Sequence, residues 1–298
     1  KKRTFMTSRL SVRNAVNHLN TLKDPQLEAQ AKEAAKILLE ACDLAGDLSA
    51  EAPEWTGDDV LKALTGVKTL LAAAAPKSTA ENFAKIAAAL TDTYLAESKL
   101  SDDLKAKCAA CDWKTVTTDE ALNKGLVNPE NFAEGLVASM NPEIEPFTSL
   151  IIHLTLRVIL QNSVREADRR IADNQKDTIH FNRPLKCPVC GGLPAIACVA
   201  GTAYHGNVKQ LFCGTCGAHW PFDRIRCAVC GDQAVSDLSY VHDSGDESRR
   251  LHVCKSCHAA FPTVFVNDLE NFDQDVDGIA ISGLAAYYSE EQAKKANA

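Results

Sequence analysis

The residues best suited to chemistry are four Cys-x-x-Cys pairs in the second half of the chain: Cys187/Cys190, Cys213/Cys216, Cys227/Cys230 and Cys254/Cys257. A two-residue gap lets both sulfurs of a pair reach one metal ion, and the turn directs backbone N–H groups at the thiolates. The residue after the second cysteine often needs a positive φ, which glycine adopts without strain. Glycine follows the first three pairs, and His258 follows the fourth. Because histidine tolerates this conformation better than most residues, we interpret His258 as a turn residue and not as a ligand.

The four pairs form an internal repeat. Cys187 and Cys227 are 40 residues apart, Cys213 and Cys254 are 41 apart, and an aromatic residue followed by proline comes four positions after the second pair of each copy. We therefore expect two copies of one unit, residues 187–226 and 227–266, each with its own four-sulfur metal site. The predicted ligands are Cys187, Cys190, Cys213 and Cys216 in the first site, and Cys227, Cys230, Cys254 and Cys257 in the second. Three alternatives are weaker: interleaved pairing of the copies, disulfides, and inert reduced thiols.

Four thiolates suit either zinc or a single rubredoxin-type iron, and the ligands alone leave both metals open. A closed set of four ligands has no open position for hydrolytic catalysis. The sequence also contains no recognisable catalytic constellation, so we expect a protein that is not an enzyme. A ribbon of 40 residues has too little core to fold alone, whereas a structural metal site supplies about 10–16 kcal/mol of apparent binding free energy. Each site should therefore hold its own module together.

The chain changes character near residue 180. Residues 1–180 carry apolar residues at helical spacing and predict an all-α domain of six to eight helices, with the apolar segment Phe147–Ile171 at its centre. Short β-rich runs then alternate with Gly, Pro and Cys. The predicted class is α+β: a helical domain (1–180), two tandem rubredoxin-like or zinc-ribbon β modules (181–226 and 227–270), and a tail (271–298) with a helix from about Gly278 to Lys295. The predicted strands include Leu193–Val199, Phe222–Arg226, Leu238–His242 and Thr263–Val266.

Charge and hydropathy exclude several classes of protein. The net charge is −7, and residues 181–270 carry 8 basic and 8 acidic side chains, which argues against nucleic-acid binding. The only possible basic patch combines Arg224, Arg226, Arg249, Arg250 and Lys255. The longest apolar run, Leu150–Leu160, contains His153 and Arg157, so we expect no membrane span. The basic start is not followed by an apolar segment typical of a secretory signal, so we expect a cytoplasmic protein. The first residue is Lys1 and not Met, which we interpret as a trimmed or partial form.

The cysteine run resembles a known family. It extends from Cys187-Pro-Val-Cys-Gly through Cys213-Gly-Thr-Cys and Trp220 to Arg224-Ile-Arg-Cys-Ala-Val-Cys230 and Cys254-Lys-Ser-Cys257, and its spacing is similar to that of the formate dehydrogenase accessory (formation) proteins, the FdhE family. The resemblance is strong over residues 183–266, and over the helical half it concerns length and character. It implies iron in each four-cysteine site, with zinc as the alternative, and a cytoplasmic maturation factor that binds the catalytic subunit of formate dehydrogenase. An electron carrier and a zinc-ribbon regulator or nucleic-acid partner stay open, as do the isoenzyme, the contact surface and the oligomeric state.

The remaining cysteines and histidines have simpler interpretations. Cys108 and Cys111 form a fifth pair within a predicted helix, and we favour buried small residues over a redox pair or an auxiliary metal site. Cys42 and Cys198 are expected in the core. His205, His219, His242 and His252 are superfluous as ligands, because each site already has four thiolates.

Two charged clusters are predicted to face solvent. Asp273, Asp275 and Asp277 resemble the start of a calcium loop, but Leu284 occupies the position that requires glutamate, so we interpret them as a solvated acidic turn. The second cluster is expected to form an exposed helix face near the domain junction, and it comprises Arg165, Glu166, Asp168, Arg169 and Arg170.

Overall fold

The computed structural model describes residues 8–19, 24–174, 183–202 and 206–296. The helices before residue 175 are, in chain order, α1 (Arg9–Leu19), α2 (Pro25–Leu48), α3 (Gly57–Leu64), α4 (Leu70–Ala73), α5 (Ala80–Glu97), α6 (Asp102–Ala109), α7 (Asp119–Gly125), α8 (Pro129–Ala138), a 3₁₀ turn (Pro142–Ile144) and α9 (Glu145–Asn174). The described part of this half thus holds nine α-helices, more than the six to eight predicted. Four of them are only 4 to 8 residues long. Each of these four begins at a Ser or Thr whose side chain accepts a backbone N–H of the first turn.

Helix α9 is the central helix of this half, as its apolar first half predicts. Its buried side chains run from Phe147 to Ile171, and helices α2, α3, α5 and α8 pack around it. By length and composition the segment 142–173 could cross a membrane, and 67% of its apolar window is buried inside the protein. Such burial is typical of the core helix of a bundle.

The second half forms one six-stranded sheet. Its strands are β1 (Pro194–Thr202), β2 (Gly206–Cys213), β3 (His219–Phe222), β4 (Leu238–Asp243), β5 (Asp246–Cys254) and β6 (Ala260–Val266). The order is β3-β2-β1-β6-β5-β4, so each copy of the repeat contributes three antiparallel strands. The copies join through a parallel pairing of Ala197–Ala200 in β1 with Thr263–Val266 in β6. This continuous sheet was not predicted, because the spacing of cysteines carries no information on pairing between modules.

The predicted strand Phe222–Arg226 is wrong beyond its first residue. Strand β3 ends at Phe222, and the chain then turns into the next cysteine pair. The Arg226 side chain donates hydrogen bonds to the carbonyl oxygens of Arg183 (2.7 Å) and Gly231 (3.3 Å), which anchors this turn. The four-part domain division stays a prediction, and its first boundary, near residue 180, lies outside the described residues.

The tail helix, α10 (Gln274–Ala296), begins four residues before the predicted start. Asp273 caps it, because its Oδ1 accepts the backbone N–H groups of Asp275 (3.1 Å) and Val276 (3.3 Å). The helix packs against α1, α2 and strands β1, β5 and β6, with Val276 and Ile281 buried. It therefore links the helical half to the sheet.

The acidic segment at the start of α10 is buried, so the prediction of a solvated turn is wrong. Asp273 and Asp277 are only 2% and 1% exposed. Arg249 of β5 donates to Asp277 (2.9 Å), and Arg157 of α9 donates to both oxygens of Asp275 (2.7 Å each). The partners come from distant parts of the chain, which is why the local sequence resembled a surface turn. This buried network ties α9, the sheet and α10 together.

Burial is the main cause of a raised pKa at Asp273, about 7, and the neighbouring Asp275 adds to it while the capping N–H groups oppose it. In the unfolded chain the pKa of this carboxyl returns to about 3.9. The folded state therefore favours the protonated form, and its stability falls as the pH rises through this interval.

Replacement of Arg249 by Ala should lower the free energy of unfolding by about 3–5 kcal/mol, because it leaves the Asp277 carboxylate buried without its ionic partner. Lys32→Ala is the matched control, because the pair of Lys32 with Glu28 lies at the surface and should contribute less than about 1 kcal/mol. Denaturant unfolding measures both changes. Equal effects of the two substitutions would contradict the role given to the buried pair.

The variant Asp273→Asn should gain stability relative to the wild type as the pH rises from about 4 to 7. Asparagine keeps the capping oxygen but does not titrate, so its own contribution to stability does not change with pH. Unfolding free energies of both proteins at several pH values measure this difference. A difference that stays constant between pH 4 and 7 would refute the assignment.

Candidate metal centres

The eight predicted cysteines form two separate clusters, grouped copy by copy as the repeat predicts. Within each cluster all four sulfurs lie within 4.8 Å of one another. In the first, Cys187 Sγ is 3.7 Å from Cys216 Sγ, and Cys190 Sγ is 3.5 Å from Cys213 Sγ. In the second, the equivalent distances are 3.7 Å for Cys227 and Cys257 and 3.8 Å for Cys230 and Cys254. Their role as ligands stays a prediction.

The sulfur separations match what a tetrahedral metal site requires. Four sulfurs at about 2.3 Å from a zinc ion would be about 3.8 Å apart. A disulfide would need about 2.05 Å, and all twelve cysteines are free thiols. Each cluster could therefore hold a metal ion. The geometry suits zinc and iron alike and does not choose between them.

The turns that carry the cysteines have the predicted backbone. Gly191, Gly217 and Gly231 have φ of 84°, 77° and 81°, and His258 has φ of 59° at the equivalent fourth position. Backbone N–H groups point at the sulfurs: Gly192 N lies 3.3 Å from Cys190 Sγ, and Val229 N lies 3.4 Å from Cys227 Sγ. His258 is thus a turn residue in place of a fourth glycine.

Crowding of the thiols makes their proton affinities unequal. Hydrogen bonds from the three neighbouring thiols, Cys187 first, hold the pKa of Cys213 well below its usual range. Hydrogen bonds to the other three thiols of the cluster, Cys187 first, together with burial, raise the pKa of Cys190 well above its usual range. Four buried thiols cannot all ionise without a compensating cation, and this is the condition that a bound metal ion satisfies.

The first cluster is enclosed by the helical half. All four of its cysteines are buried. The N-terminal turn of α4 lies on its first Cys-x-x-Cys turn, where Leu70 N donates to Pro188 O and Leu71 N to Val189 O, both at 3.0 Å. On the other Cys-x-x-Cys turn, Arg157 Nη2 of α9 donates to Gly214 O at 2.5 Å.

The second cluster lies at the surface. Cys230 is exposed and Cys257 is half-buried, although Cys227 and Cys254 are buried. Val229, between the cysteines of its first turn, is 49% exposed, whereas the equivalent Val189 of the first copy is fully buried. The two sites therefore have the same internal geometry and different surroundings.

Sequence reasoning missed a buried cation between the two modules. Lys209 of β2 is 1% exposed, its Nζ lies 3.3 Å from Arg226 O, and it faces the Phe222 ring at 5.3 Å. Burial lowers its pKa to about 8, while the nearby Cys227 and Asp223 oppose that shift. Its charge would partly balance thiolates of the second cluster. The only signal in the sequence is a lone lysine within a β-rich run.

The predicted exposed face around Asp168 is wrong for this residue. Asp168 is 8% exposed, and its carboxylate lies 3.4 Å from Nδ1 of His219. Burial raises the pKa of Asp168 well above its usual range and lowers that of His219 to about 4. This contact joins α9 to β3 beside the first cluster, so His219 lies between the first module and the helical half. Glu166 stays at the surface, where it pairs with Arg169 and Arg170.

The remaining cysteines and the histidines of the described residues belong to neither cluster. Among the described residues, neither metal-capable group includes a histidine, and His205 lies outside the described part of the chain. Cys198 is buried, Cys42 is half-buried, and Cys108 is buried at the end of α6 with Cys111 half-buried beyond it. Burial is the first cause of a raised pKa at both Cys108 and Cys111, which disfavours reactive thiolates.

The candidate basic patch is not a continuous surface. Arg226 and Arg249 are 8% and 3% exposed, and both bind partners within the protein. Arg250 lies over the Phe265 ring at 4.5 Å. Of the five, only Arg224 and Lys255 are exposed, and Lys255 Nζ donates to Ser236 O at 2.8 Å, which leaves little positive surface for a phosphate backbone.

Two comparisons with known proteins found relatives: curated proteins match about a third of the chain, and a solved structure aligns with nearly all of it. No protein-family model matches. The curated FdhE homologue of Aquifex aeolicus is 26% identical over 98 residues, which are 33% of this chain and 32% of the relative. That of Shewanella baltica is 28% identical over 94 residues, 32% and 31% of the two chains. The match thus spans about a third of the length of these curated relatives.

A solved structure extends the likeness along the chain. The crystal structure of the FdhE protein from Pseudomonas aeruginosa aligns with a TM-score of 0.59 over 95% of this chain and 92% of that chain, at 16% identity. At this identity the alignment shows a common fold. The common fold and the partial matches to curated FdhE homologues agree with the resemblance of this chain to the FdhE family.

Proposed function

We propose that this chain is a cytoplasmic accessory protein for the maturation of formate dehydrogenase, which binds the catalytic subunit of that enzyme and holds one metal ion in each four-cysteine cluster. The observation that carries the proposal is the pair of four-sulfur clusters on a fold shared with an FdhE protein. The ligands we propose are Cys187, Cys190, Cys213 and Cys216 for one ion, and Cys227, Cys230, Cys254 and Cys257 for the other.

Iron is the metal we propose for each site, with zinc as the alternative. The Cys-Pro-Val-Cys-Gly turn at 187–191 resembles a rubredoxin turn, and the sulfur geometry accepts either ion. Four thiolates per ion leave no open coordination position, so we propose a binding role and not catalysis at the metal. A bound ion would fix the loops of each module and so present a rigid surface to a partner.

The two clusters suit different tasks within this role. The first lies between the sheet and helices α4 and α9, so its ion would hold the modules against the helical half. The second opens to solvent at Cys230, so its ion would lie close to any partner that binds there. The same exposure favours a second candidate function, a rubredoxin-like electron carrier, since an exposed ligand shortens the path for an electron.

Metal content separates the two sites. Anaerobically purified protein should contain two ions per chain by elemental analysis. Cys187→Ser/Cys190→Ser should lower this to one and weaken folding, because that site is buried beneath α4. Cys227→Ser/Cys230→Ser should also leave one ion with the helical half intact. The matched control, Cys108→Ser/Cys111→Ser, should keep both ions; a loss in this control would contradict the ligand assignment.

Chelation should proceed in two phases. The exposed second site should release its ion first, and the enclosed first site should follow only as the protein opens. Metal release against time, followed with a coloured chelator, measures the two phases. A single phase that removes both ions together would contradict the difference in burial. Visible absorption with a reversible Fe(III)/Fe(II) couple would favour the electron carrier only if the protein also fails to bind a formate dehydrogenase subunit.

Binding to purified catalytic subunit of formate dehydrogenase tests the function itself. The wild-type protein should bind it, and loss of the second ion through Cys227→Ser/Cys230→Ser should weaken binding at least about tenfold, because the surface loop loses its metal support. Cys108→Ser/Cys111→Ser should bind like the wild type. Absence of wild-type binding would overturn the proposal, and unchanged binding after metal loss would remove the platform role.

A further inference from the structure

The internal repeat makes β1 of the first copy equivalent to β4 of the second. Each is the first strand of its copy, and each pairs antiparallel with the strand that follows it in the chain. Their partners in β2 and β5 are offset by 41 positions, like Cys213 and Cys254. This register equates two residues of each strand, Ala197 with Tyr240 and Val199 with His242.

The two equivalent strands differ in what lies on their outer side. The residues Ala197–Ala200 of β1 pair in parallel with Thr263–Val266 of β6. Strand β4 is the end of the sheet, and no strand of the described residues lies beyond it. Tyr240 and His242 are both exposed. The strand that covers β1 therefore indicates what the same edge of β4 can accept.

The register shows which backbone groups of β4 point outward. Pro262 of β6, which has no N–H, lies opposite Leu251 of β5, so these two residues exchange no pair of hydrogen bonds. Bonded and non-bonded pairs alternate across an antiparallel sheet, so Leu251 bonds to its other neighbour, Val241. The residues on either side of Val241, namely Tyr240 and His242, therefore direct their N–H and C=O groups away from β5.

A hydrogen bond beyond the strand has the same phase. Lys255 N donates to Asp237 O at 2.8 Å, and residue 237 lies four positions before Val241. Alternate residues of β4 thus bond to β5, and those between them point outward. The outer edge offers two donors and two acceptors, at Tyr240 and His242.

The opposite end of the sheet is protected and β4 is not. Strand β3 has four residues, and one of them is Pro221, which cannot donate to an added strand. His219 of β3 also contacts Asp168 of α9. Strand β4 has six residues without Pro, Lys or Arg, the residues that commonly block pairing at a sheet edge.

The side chains beside this edge form an aromatic and cationic surface. The Tyr240 ring meets the His252 ring edge-on with centroids 4.2 Å apart, and the Arg250 guanidinium lies 4.5 Å from the centre of the Phe265 ring. Arg250 Nε donates to a backbone oxygen, and no carboxylate of the described residues pairs with this arginine. The surface therefore complements an acidic side chain.

We infer that the outer edge of β4 is a docking site for an extended segment of a partner protein, which adds a seventh strand in the place that β6 occupies beside β1. The segment bonds to the backbone of Tyr240 and His242, and it carries Asp or Glu on the face that holds Arg250. This inference deepens the proposed function and rests on it for the identity of the partner, the catalytic subunit of formate dehydrogenase.

A partner segment fits this edge better than a second copy of the chain. Two β4 strands paired edge to edge would place on the face of Arg250 only the alternating residues Leu238, Tyr240 and His242. None of these side chains is a carboxylate, so Arg250 would stay without an ionic partner. Sedimentation of the wild-type chain should therefore show a monomer, and a dimer that His242→Pro dissociates would overturn the inference.

His242→Pro tests the edge. It removes an N–H that points away from β5, and proline is tolerated at such a position of an edge strand. Affinity for the purified catalytic subunit should fall at least about tenfold, because a buried acceptor of the segment loses its donor. The matched control, His242→Ala, keeps the N–H and should bind within about threefold of the wild type. Wild-type affinity of His242→Pro, with His242→Ala unchanged, would overturn the inference and leave the proposed function standing.

Hydrogen exchange tests the same edge without a substitution. In the free chain the amides of Tyr240 and His242 should exchange much faster than that of Val241, which is bonded to β5. Binding of the catalytic subunit should slow exchange at Tyr240 and His242 at least about tenfold. Unchanged exchange at both amides in a complex that forms would overturn the inference.

A peptide probe separates this inference from the proposed function. If the wild-type chain does not bind the catalytic subunit, the proposed function fails, and the edge is judged by a synthetic peptide with the sequence of residues 259–267, which contains β6. Added to the full chain, the peptide should shift the amide resonances of Tyr240 and His242, and His242→Pro should abolish these shifts. Unchanged resonances in the wild type would overturn the docking site.

A second peptide tests the preference for an acidic side chain. It carries the change Phe265→Glu, which places a carboxylate beside His242 when the peptide pairs with β4 as β6 pairs with β1. It should bind about threefold more tightly than the unchanged peptide, and Arg250→Gln in the full chain should remove this difference. Arg224→Gln is the matched control, because Arg224 is exposed and lies outside the strands. Equal affinities of the two peptides for the wild type would overturn the assignment of an acidic segment.

Discussion

The fold of the second half depends on the mutual repulsion of thiolates and on what relieves it. Four sulfurs within 4.8 Å of one another can all be ionised only beside a cation, so each cluster requires a metal ion or retained protons. The protein contributes backbone N–H groups at the sulfurs and, near the second cluster, the buried Lys209. These are weaker sources of positive charge than a divalent ion. A metal ion bound in either cluster would therefore stabilise the small three-stranded unit around it.

Duplication of this unit gave two sites with one geometry, and the helical half made them different. Helices α4 and α9 satisfy carbonyl oxygens of both turns of the first copy, at Pro188, Val189 and Gly214. The second copy is attached through the parallel pairing of β1 with β6 and through α10, where Asp277 pairs with Arg249 of β5. An ion in the first cluster would therefore support the contact of the sheet with the helical half, and an ion in the second would support a surface. A single module could not serve both purposes, because burial against the helices removes the surface.

The local features of the metal sites could be predicted from the sequence, and the long-range ones could not. Cysteine spacing and the repeat correctly grouped the eight sulfurs, and the glycine pattern correctly identified His258 as a positive-φ residue. Both depend on residues within about 40 positions of each other. The apolar character of α9 likewise revealed the central helix. Asp275 and Asp277 pair with Arg157 and Arg249 from other elements, so a run of alternating acids resembled a surface turn. The difference in exposure between Val189 and Val229 was invisible for the same reason.

The side chain of Arg157 connects the first cysteine cluster with the charged network at the start of α10. The guanidinium stays protonated at ordinary pH. Its planar group donates to Asp275 through Nη1 and to the carbonyl oxygen of Gly214 through Nη2. A lysine at this position has a single nitrogen and could not hold both partners in one plane. The first cluster is thus fixed to α9 and, through the same guanidinium, to the start of α10. The Arg157–Asp275 pair is half-buried, and it contributes to orientation as well as to stability, since a shifted module would leave both charges without partners. The tail helix therefore sets the position of the sheet on the helical half, and with it the direction in which the open second cluster faces.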